Sequence, residues 1–568
     1  MLPPEILRIV LLIGLAATGY MMILAWNDDR QQQRQPVAYT ETPVSEESAV
    51  GLEVPSTLSS TQTEEANSDV PDASLLQGET LAAPVQEVVV DDGRYVRVET
   101  QTLITWIDLV GGDIVRVQLP GFPVTLEQPD VPYQLLEQNS SRLYVAQSGL
   151  IGADGPDSSE RPRYSTDDLT VNVLSGEREV RLTMSPSPGV TVNKVFTFRA
   201  TDHLVDVRHE MKNSTDRVLK AGLFAQIKRD NRPPATDESF SLAPQPFLGA
   251  AITTTEERYK KVDFEDVDEG GVDTTVQGGW VAFLQHYFLS AWVADQKESN
   301  RFLLRKARDG RYIFGYTGPL KQVNPSETGV WMAQFYAGPK DQKRLEEIAP
   351  NLNLTIDYGF LWWLAMPLFL LLDWLHSLVG NWGIAIILLT VVVKAVLYPL
   401  SAAGYRSMAN MRRVAPAMKK IQERYANDRE KLSREMMALY KKEGANPLGG
   451  CLPMLLPMPI FIALYWVLFE SVELRQAPFM LWIDDLAQMD PYFILPLLMG
   501  ASTYWMQSLN PQVGDPMQQR MMKMMPIMFT VLFLFFPAGL VLYWLVNNLL
   551  SIAQQQFVYR QAEKAQAA

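Results

Sequence analysis

The sequence predicts a polytopic α-helical membrane protein joined to an all-β domain outside the cytoplasm. Three observations carry that expectation. Long apolar runs dominate from about residue 360 onward. Before them, after one apolar N-terminal stretch, the chain is polar, acidic and punctuated like a series of short strands. Between two of the later apolar runs lies a strongly basic loop. The 568 residues, 47% of them hydrophobic, suit two or more domains.

The first apolar segment, Ile6 to Trp26, is long enough to cross a ~30 Å hydrocarbon core. A cleaved signal peptide is the rival reading, but such peptides have a shorter apolar core and a small-residue cleavage site. Here Asn27, Asp28 and Asp29 follow Trp26 directly, so residues 1–30 read as an uncleaved anchor. Further spans are expected near Trp382–Leu400, Leu452–Phe469, Tyr492–Leu509, Pro526–Phe536 and Leu540–Phe557. Pro537-Ala538-Gly539 joins the last two as a tight hairpin, and the fifth begins earlier, within Met521–Met525. Phe360–Leu378 is also long enough to span. Its Trp362, Trp363, Asp373, Trp374 and His376 suit a helix lying in the interface instead.

Charge decides between the two. The loop from Ala402 to Gly450 carries eleven basic and five acidic residues, a net of +6 in a chain of −14 overall. The positive-inside rule places it in the cytoplasm. With a cytoplasmic N-terminus, only an even number of spans precedes that loop. Residues 360–378 are then interfacial, the chain has six spans, both termini are cytoplasmic, and residues 27–357 lie outside.

Residues 31–88 are rich in Gln, Ser, Thr, Glu and Pro and cannot bury enough surface to fold, so they read as a flexible linker. Residues 89–350 read as a β-sandwich. Leu103, Thr105, Ile107 and Leu109 alternate at period two, as do Val115, Val117 and Leu119, and Phe196 and Phe198 oppose Val195, Thr197 and Arg199. Gly-Gly, Pro-Gly and Asp-Gly mark the turns.

Inside the basic loop, residues 403–444 form an amphipathic helical hairpin. Met408, Met411, Val414, Met418, Ile421 and Tyr425 repeat at spacings of three and four, and so do Leu432, Met436 and Leu439. Asp428 is the expected N-cap of the second helix, and Gly444 and Pro447 end it. Pro416 interrupts the first helix. Arg412, Arg413, Lys419, Lys420, Arg424, Lys441 and Lys442 give the hairpin a basic surface suited to acidic partners, ribosomal RNA or anionic lipid. The plainer alternative is a solvated linker whose charges only fix topology.

Lys394 is the outstanding membrane residue. It lies six positions before Leu400, about 9 Å inside the cytoplasmic end of its span. A cation there is costly unless it meets water or a partner, the alternative being that its stem lifts the ammonium to the interface. Thr390 shares its face. Trp544, Asn547, Asn548, Ser551 and Gln555 follow helical spacing in the last span, and Thr503 and Gln507 form a shorter polar stripe in the fourth. Polar faces on several spans suggest a wet groove. Met517, Met521, Met522, Met524, Met525 and Met528 suit a surface that accepts varied apolar partners, or ordinary packing.

Several chemistries are excluded. The single cysteine, Cys451, allows no disulfide framework or thiolate cluster, and His203, His209, His286 and His376 show no metal-ligand spacing. Nucleotide-binding and nucleophile-elbow motifs are absent. Neither a metal nor a cofactor nor a catalytic residue is expected. His203 and His209 read as structural.

Four motifs in order resemble the YidC-type membrane protein insertases: Asn446-Pro447-Leu448-Gly449-Gly450-Cys451-Leu452-Pro453, Ser471 to Phe479, Asp515-Pro516-Met517-Gln518-Gln519, and Phe536 to Trp544. The resemblance runs through the anchor, linker, outer domain and the membrane core from Asp357 to Arg560, within a core domain of residues 357–568. It implies a bacterial inner-membrane protein with an insertase core of five helices around a hydrophilic groove, open to cytoplasm and lipid and closed toward the periplasm. It also implies a periplasmic β-supersandwich domain similar in kind to sugar mutarotases, although fold does not carry activity. The groove residues it implies are Lys394, Thr390, Trp544 and Asn547, and the polar stripes add Gln507 and Ser551. The partners it implies are nascent membrane proteins, the ribosome, the Sec translocon and lipid, with no DNA. The family often has arginine at the Lys394 position and glutamine at Pro457. The short tail after Gln561 holds one lysine, Lys564, so no basic ribosome-binding tail is expected.

Two other classes compete. A solute transporter or channel would carry inverted repeats or coupling charges near the midplane. No carboxylate lies deep in any of the six expected spans to pair with Lys394. An anchored carbohydrate enzyme would leave the long membrane half without a purpose.

Overall fold

The computed structural model describes residues 93–234, 246–425, 428–443, 456–509 and 516–567. The expected anchor, the whole expected linker, Cys451 and the Asn446–Pro453 motif lie outside the described residues.

Strands between Tyr95 and Pro339 form two largely antiparallel sheets, of eleven and eight strands. The period-two residues point where alternation requires. Leu103, Thr105, Ile107 and Leu109 are buried, as are Val115, Val117 and Leu119, and Phe196 and Phe198 sink into the core while Thr197 stays half-buried. The inner faces of both sheets share one apolar core. A second cluster joins the remaining face of the eight-stranded sheet (Trp280, Ala282, Leu284, Leu289, Ala291 and Val293) to the helices that follow.

A polar network sits between the sheets. Lys194 Nζ donates to the Gly111 and Ser148 carbonyls at 3.1 and 2.8 Å. Arg161 pairs with Asp113 and Asp157. His209 Nε2 lies 3.3 Å from Ser148 Oγ with the whole residue buried. Burial, with Lys194 and Arg161 adding to it, holds the His209 imidazole well below its usual range. The folded state therefore keeps His209 neutral where the unfolded chain takes a proton, near pH 6.5. Its contribution to stability is present above that pH and is lost as pH falls below it. Denaturant titrations of the full chain between pH 7 and 5 should show a slope that His209→Gln reduces by about 1.4 kcal/mol per pH unit. Identical slopes would mean that the imidazole is protonated within the fold.

The helices follow in chain order. They are α1 (Gln342–Ile348), α2 (Trp362–Val379), α3 (Trp382–Val396), α4 (Tyr398–Arg424), α5 (Arg429–Glu443), α6 (Met458–Glu470), α7 (Ile494–Ser508), α8 (Pro516–Phe533) and α9 (Ala538–Ala567). Among the described residues, Gly359–Val379 is the single helix long and apolar enough to cross a membrane. Trp382–Val396 and Tyr398–Arg424 pass only as a pair bent by 68°, and Met458–Glu470 and Lys523–Phe533 are shorter apolar helices. By length and composition, the best span is thus the segment that charge makes interfacial. That segment buries Ala365, Leu368, Phe369, Leu372 and Leu375 on one side and exposes Trp362, Trp363, Trp374 and Leu378 on the other.

Two expected boundaries move. The span drawn to Leu400 ends at Val396, because Pro399 in the first turn of α4 disfavours a continuous helix through Leu397 and Tyr398. The helix that carries the expected span to Phe557 runs on to Ala567. Pro457 caps the start of α6, where its missing N–H costs nothing.

Candidate functional site

α9 is the spine of the membrane part and packs against α3, α4, α6 and α7. Because α3 stops at Val396, Lys394 lies in its last turn and not six residues inside a longer span. Its ammonium does not lift along its own helix. Nζ donates sideways across to Ser551 Oγ of α9 at 2.6 Å. Ser551 donates in turn to the Asn547 carbonyl at 2.6 Å. Tyr405, near the root of α4, also hydrogen-bonds Ser551. Among the described residues no carboxylate forms an ion pair with Lys394, so neutral oxygens carry its contacts.

One turn along α9, Asn548 Nδ2 donates to Ser502 Oγ at 3.0 Å and Thr503 Oγ1 at 2.8 Å. Its Oδ1 is buried without a hydrogen-bond partner. Gln507 lies one turn beyond Thr503, half-buried at the end of α7. Asn547, Asn548, Ser551 and Gln555 are all buried within the bundle.

Two expected groove residues make their contacts outside the polar seam's hydrogen bonds. Thr390 is fully buried and its hydroxyl donates to the Ile386 carbonyl of its own helix at 2.7 Å. Trp544 leaves the polar seam for an aromatic cluster, its ring centroid 4.6 Å from Phe461, 5.5 Å from Phe533 and 6.3 Å from Phe529. An indole is mostly apolar surface, and packing decides its place. On α8, Met521, Met524 and Met528 form an exposed face at helical spacing.

The far end is closed by residues 471–490. Leu474, Ala477, Ile483 and Leu486 are buried there. Asp490 accepts from Trp482 Nε1 at 3.0 Å and from the Leu495 amide at 2.6 Å, which ties the segment to the start of α7. The Ala538 and Gly539 amides donate to the Gln488 and Leu486 carbonyls at 2.7 and 2.9 Å. Phe479 presses so near α3 that a Cβ on Gly383 would stand 2.0 Å from its ring.

The opposite end carries the hairpin. Met411, Val414 and Met418 of α4 pack on Met436, Leu439 and Tyr440 of α5. The Asp428 carboxylate accepts from the Lys431 amide at 3.1 Å, as an N-cap should. α4 continues through Pro416. Arg412, Arg413, Lys419, Lys420, Arg424, Lys441 and Lys442 are all exposed. The sequence reading missed how the hairpin is rooted. Ala402, Tyr405 and Met408 pack on Val558 and Tyr559 of the extended α9. The signal was available in those two apolar residues following Gln554-Gln555-Gln556.

Comparison with known proteins gives matches along nearly the whole chain. The family described as 60Kd inner membrane protein matches residues 374–565, and the YidC periplasmic domain matches residues 95–371. The protein named membrane protein insertase YidC in Pseudomonas entomophila is 47% identical over 99% of both chains. Its namesake in Azotobacter vinelandii is 46% identical over 99% of both. That of Stutzerimonas stutzeri is 48% identical over 98% of this chain and 99% of its own. Matched end to end by such relatives, and by an inner-membrane and a periplasmic family in chain order, this chain belongs to the YidC family of membrane protein insertases.

Proposed function

We propose that the chain moves nascent inner-membrane proteins into the bilayer through the seam between α3, α7 and α9, without a chemical step. The observation that carries this is Lys394: a cation in an apolar helix, bonded to the Ser551 hydroxyl. A hydroxyl is a weak partner for an ammonium, and a carboxylate or polar flank on a passing segment exchanges for it readily. Asn547, Asn548, Ser551, Thr503 and Gln507 lower the cost of bringing such a flank into the membrane. The apolar part of the substrate then leaves sideways, driven by burial in lipid at ~25 cal/mol per Å². The exposed methionines of α8 offer an adaptable edge to that exit.

The topology in this reading has six spans, with residues 1–30 an anchor, 31–88 a linker, 89–350 periplasmic and 360–378 interfacial. Both termini and the hairpin 403–444 are cytoplasmic, and the basic face of the hairpin meets the ribosome, the Sec translocon or anionic lipid. The support is the +6 charge of the loop and the exposure of its lysines and arginines.

A photo-crosslinking residue placed in turn at Thr503, Gln507, Asn547 and Leu549 tests the route, using a ribosome-stalled nascent membrane protein. Crosslinks are expected at the first three and sparsely at Leu549, which is exposed on the opposite side of α9 from Ser551's neighbours. Equal yield at all four sites would dissolve the seam into general lipid-side contact.

A further inference from the structure

Glu470 is the last residue of α6, and its carboxylate lies 3.0 Å from Lys340 Nζ, with the two side chains only 5% and 4% exposed. A negative charge at a helix C-terminus opposes the helix dipole. A buried carboxylate without a cation is strongly destabilising. The last turn of α6 holds no basic residue. The cation comes instead from the β domain, from the residue that follows strand Thr328–Pro339.

The contacts around this pair all cross the same junction. His286 Nε2 donates to the Phe469 carbonyl at 2.8 Å, and Lys261 pairs with Asp357. Val472 joins the core between the two sheets. Arg475 Nη2 donates to the Pro123 carbonyl at 2.7 Å while its guanidinium lies over the Tyr133 and Phe288 rings. Gln476 Nε2 donates to the same carbonyl at 3.1 Å. From there the chain turns back as residues 477–490 over the helix ends. The Asn381 side chain donates to the Phe479 carbonyl at 2.9 Å.

We infer that Lys340 is a positioning residue for insertion. By neutralising Glu470 it seats residues 471–490 over the ends of α3, α6 and α9, so that the β domain completes the outer seal of the seam. The inference rests on the insertase reading given above, and the test separates the two.

Four full-length variants are compared with the parent: Lys340→Met, Lys340→Arg, Glu470→Gln, and Lys340→Met with Glu470→Gln. Two quantities are read at equal membrane abundance: hydrogen exchange at the amides of Phe479, Ile483 and Leu486, and the rate of insertion of a substrate. Lys340→Met should speed exchange at these amides by about tenfold or more and slow insertion several-fold, since it leaves a buried unpaired carboxylate. The double change should bring both back to within about twofold of the parent, because a neutral pair of similar size is tolerated where a lone charge is not. Lys340→Arg should stay near the parent, and Glu470→Gln should be milder than Lys340→Met. If Lys340→Met fails to accumulate, recovery of abundance in the double variant gives the same answer. Parental exchange in Lys340→Met, or a double variant no better than the single, overturns the inference. Exchange that rises and is rescued while insertion stays constant also overturns it and leaves the insertase reading standing. A parent that inserts nothing defeats that reading, while the exchange pattern still reports the junction.

Discussion

Lys394→Glu is expected to abolish insertion of substrates whose translocated segments are acidic, while purely apolar substrates still insert. Two unit charges about 4 Å apart interact by about 4 kcal/mol at an effective dielectric of 20, and each 1.4 kcal/mol is about tenfold in a rate or equilibrium. Turning that attraction into repulsion therefore separates acidic from apolar substrates by two orders of magnitude or more. Lys394→Ala removes the attraction only and should impair acidic substrates less than Lys394→Glu does. Lys394→Arg keeps charge and reach and should be tolerated. Were the ammonium merely snorkelling, Lys394→Leu would be neutral or slightly stabilising for every substrate. The sideways bond to Ser551 argues against that. The measurement is insertion of a substrate series graded by acidic residues, with each variant at equal abundance. Indifference to all four substitutions would leave only the shape and hydration of the seam as an explanation.

Removing Met408 to Lys442 should leave a membrane-inserted protein that inserts substrates at a small fraction of the parental rate. The deletion takes away the paired apolar stripes of α4 and α5 and the basic face. It spares Ala402 and Tyr405, which hold the root of α4 on Val558 and Tyr559. A milder variant separates docking from architecture. Replacing Lys419, Lys420 and Arg424 by glutamine leaves every buried hairpin residue in place. Exposed charges act through a screened field, so this variant should lower insertion most at low salt and converge on the parent as salt rises. Full activity after the deletion would reduce the loop to a topology signal.

Much of this was legible in the sequence, and the failures have physical causes. The alternation of Leu103 to Leu109 and the stripe from Met408 to Met418 survive because each element buries one face, and period follows face. Lys394 and Ser551 were legible as polar residues in apolar helices, though not as partners, since nothing local couples residues 157 apart in the chain. Trp544 was assigned to the polar stripe on spacing and on resemblance, and is captured by aromatic neighbours from α6 and α8. The end of α3 was missed because the apolar run continues through Leu397-Tyr398-Pro399-Leu400, although Pro399 was the available signal. The junction of Lys340 with Glu470 has no periodicity, motif or composition to announce it.

The second apolar cluster, shared between the eight-stranded sheet and the helices, also sets a timetable. The last strand ends at Pro339, and the chain that covers its sheet reaches past Leu486. At about 5–20 residues per second, the ribosome needs roughly 7–30 s to make that interval. Hairpins form in microseconds, so the sheet is complete long before its cover is. For all that time Trp280, Ala282, Leu284, Leu289, Ala291 and Val293 have upon them only the stretch just behind Pro339, with Leu345 and Leu352 in the cluster and Trp280 Nε1 donating to the Pro350 carbonyl at 3.0 Å.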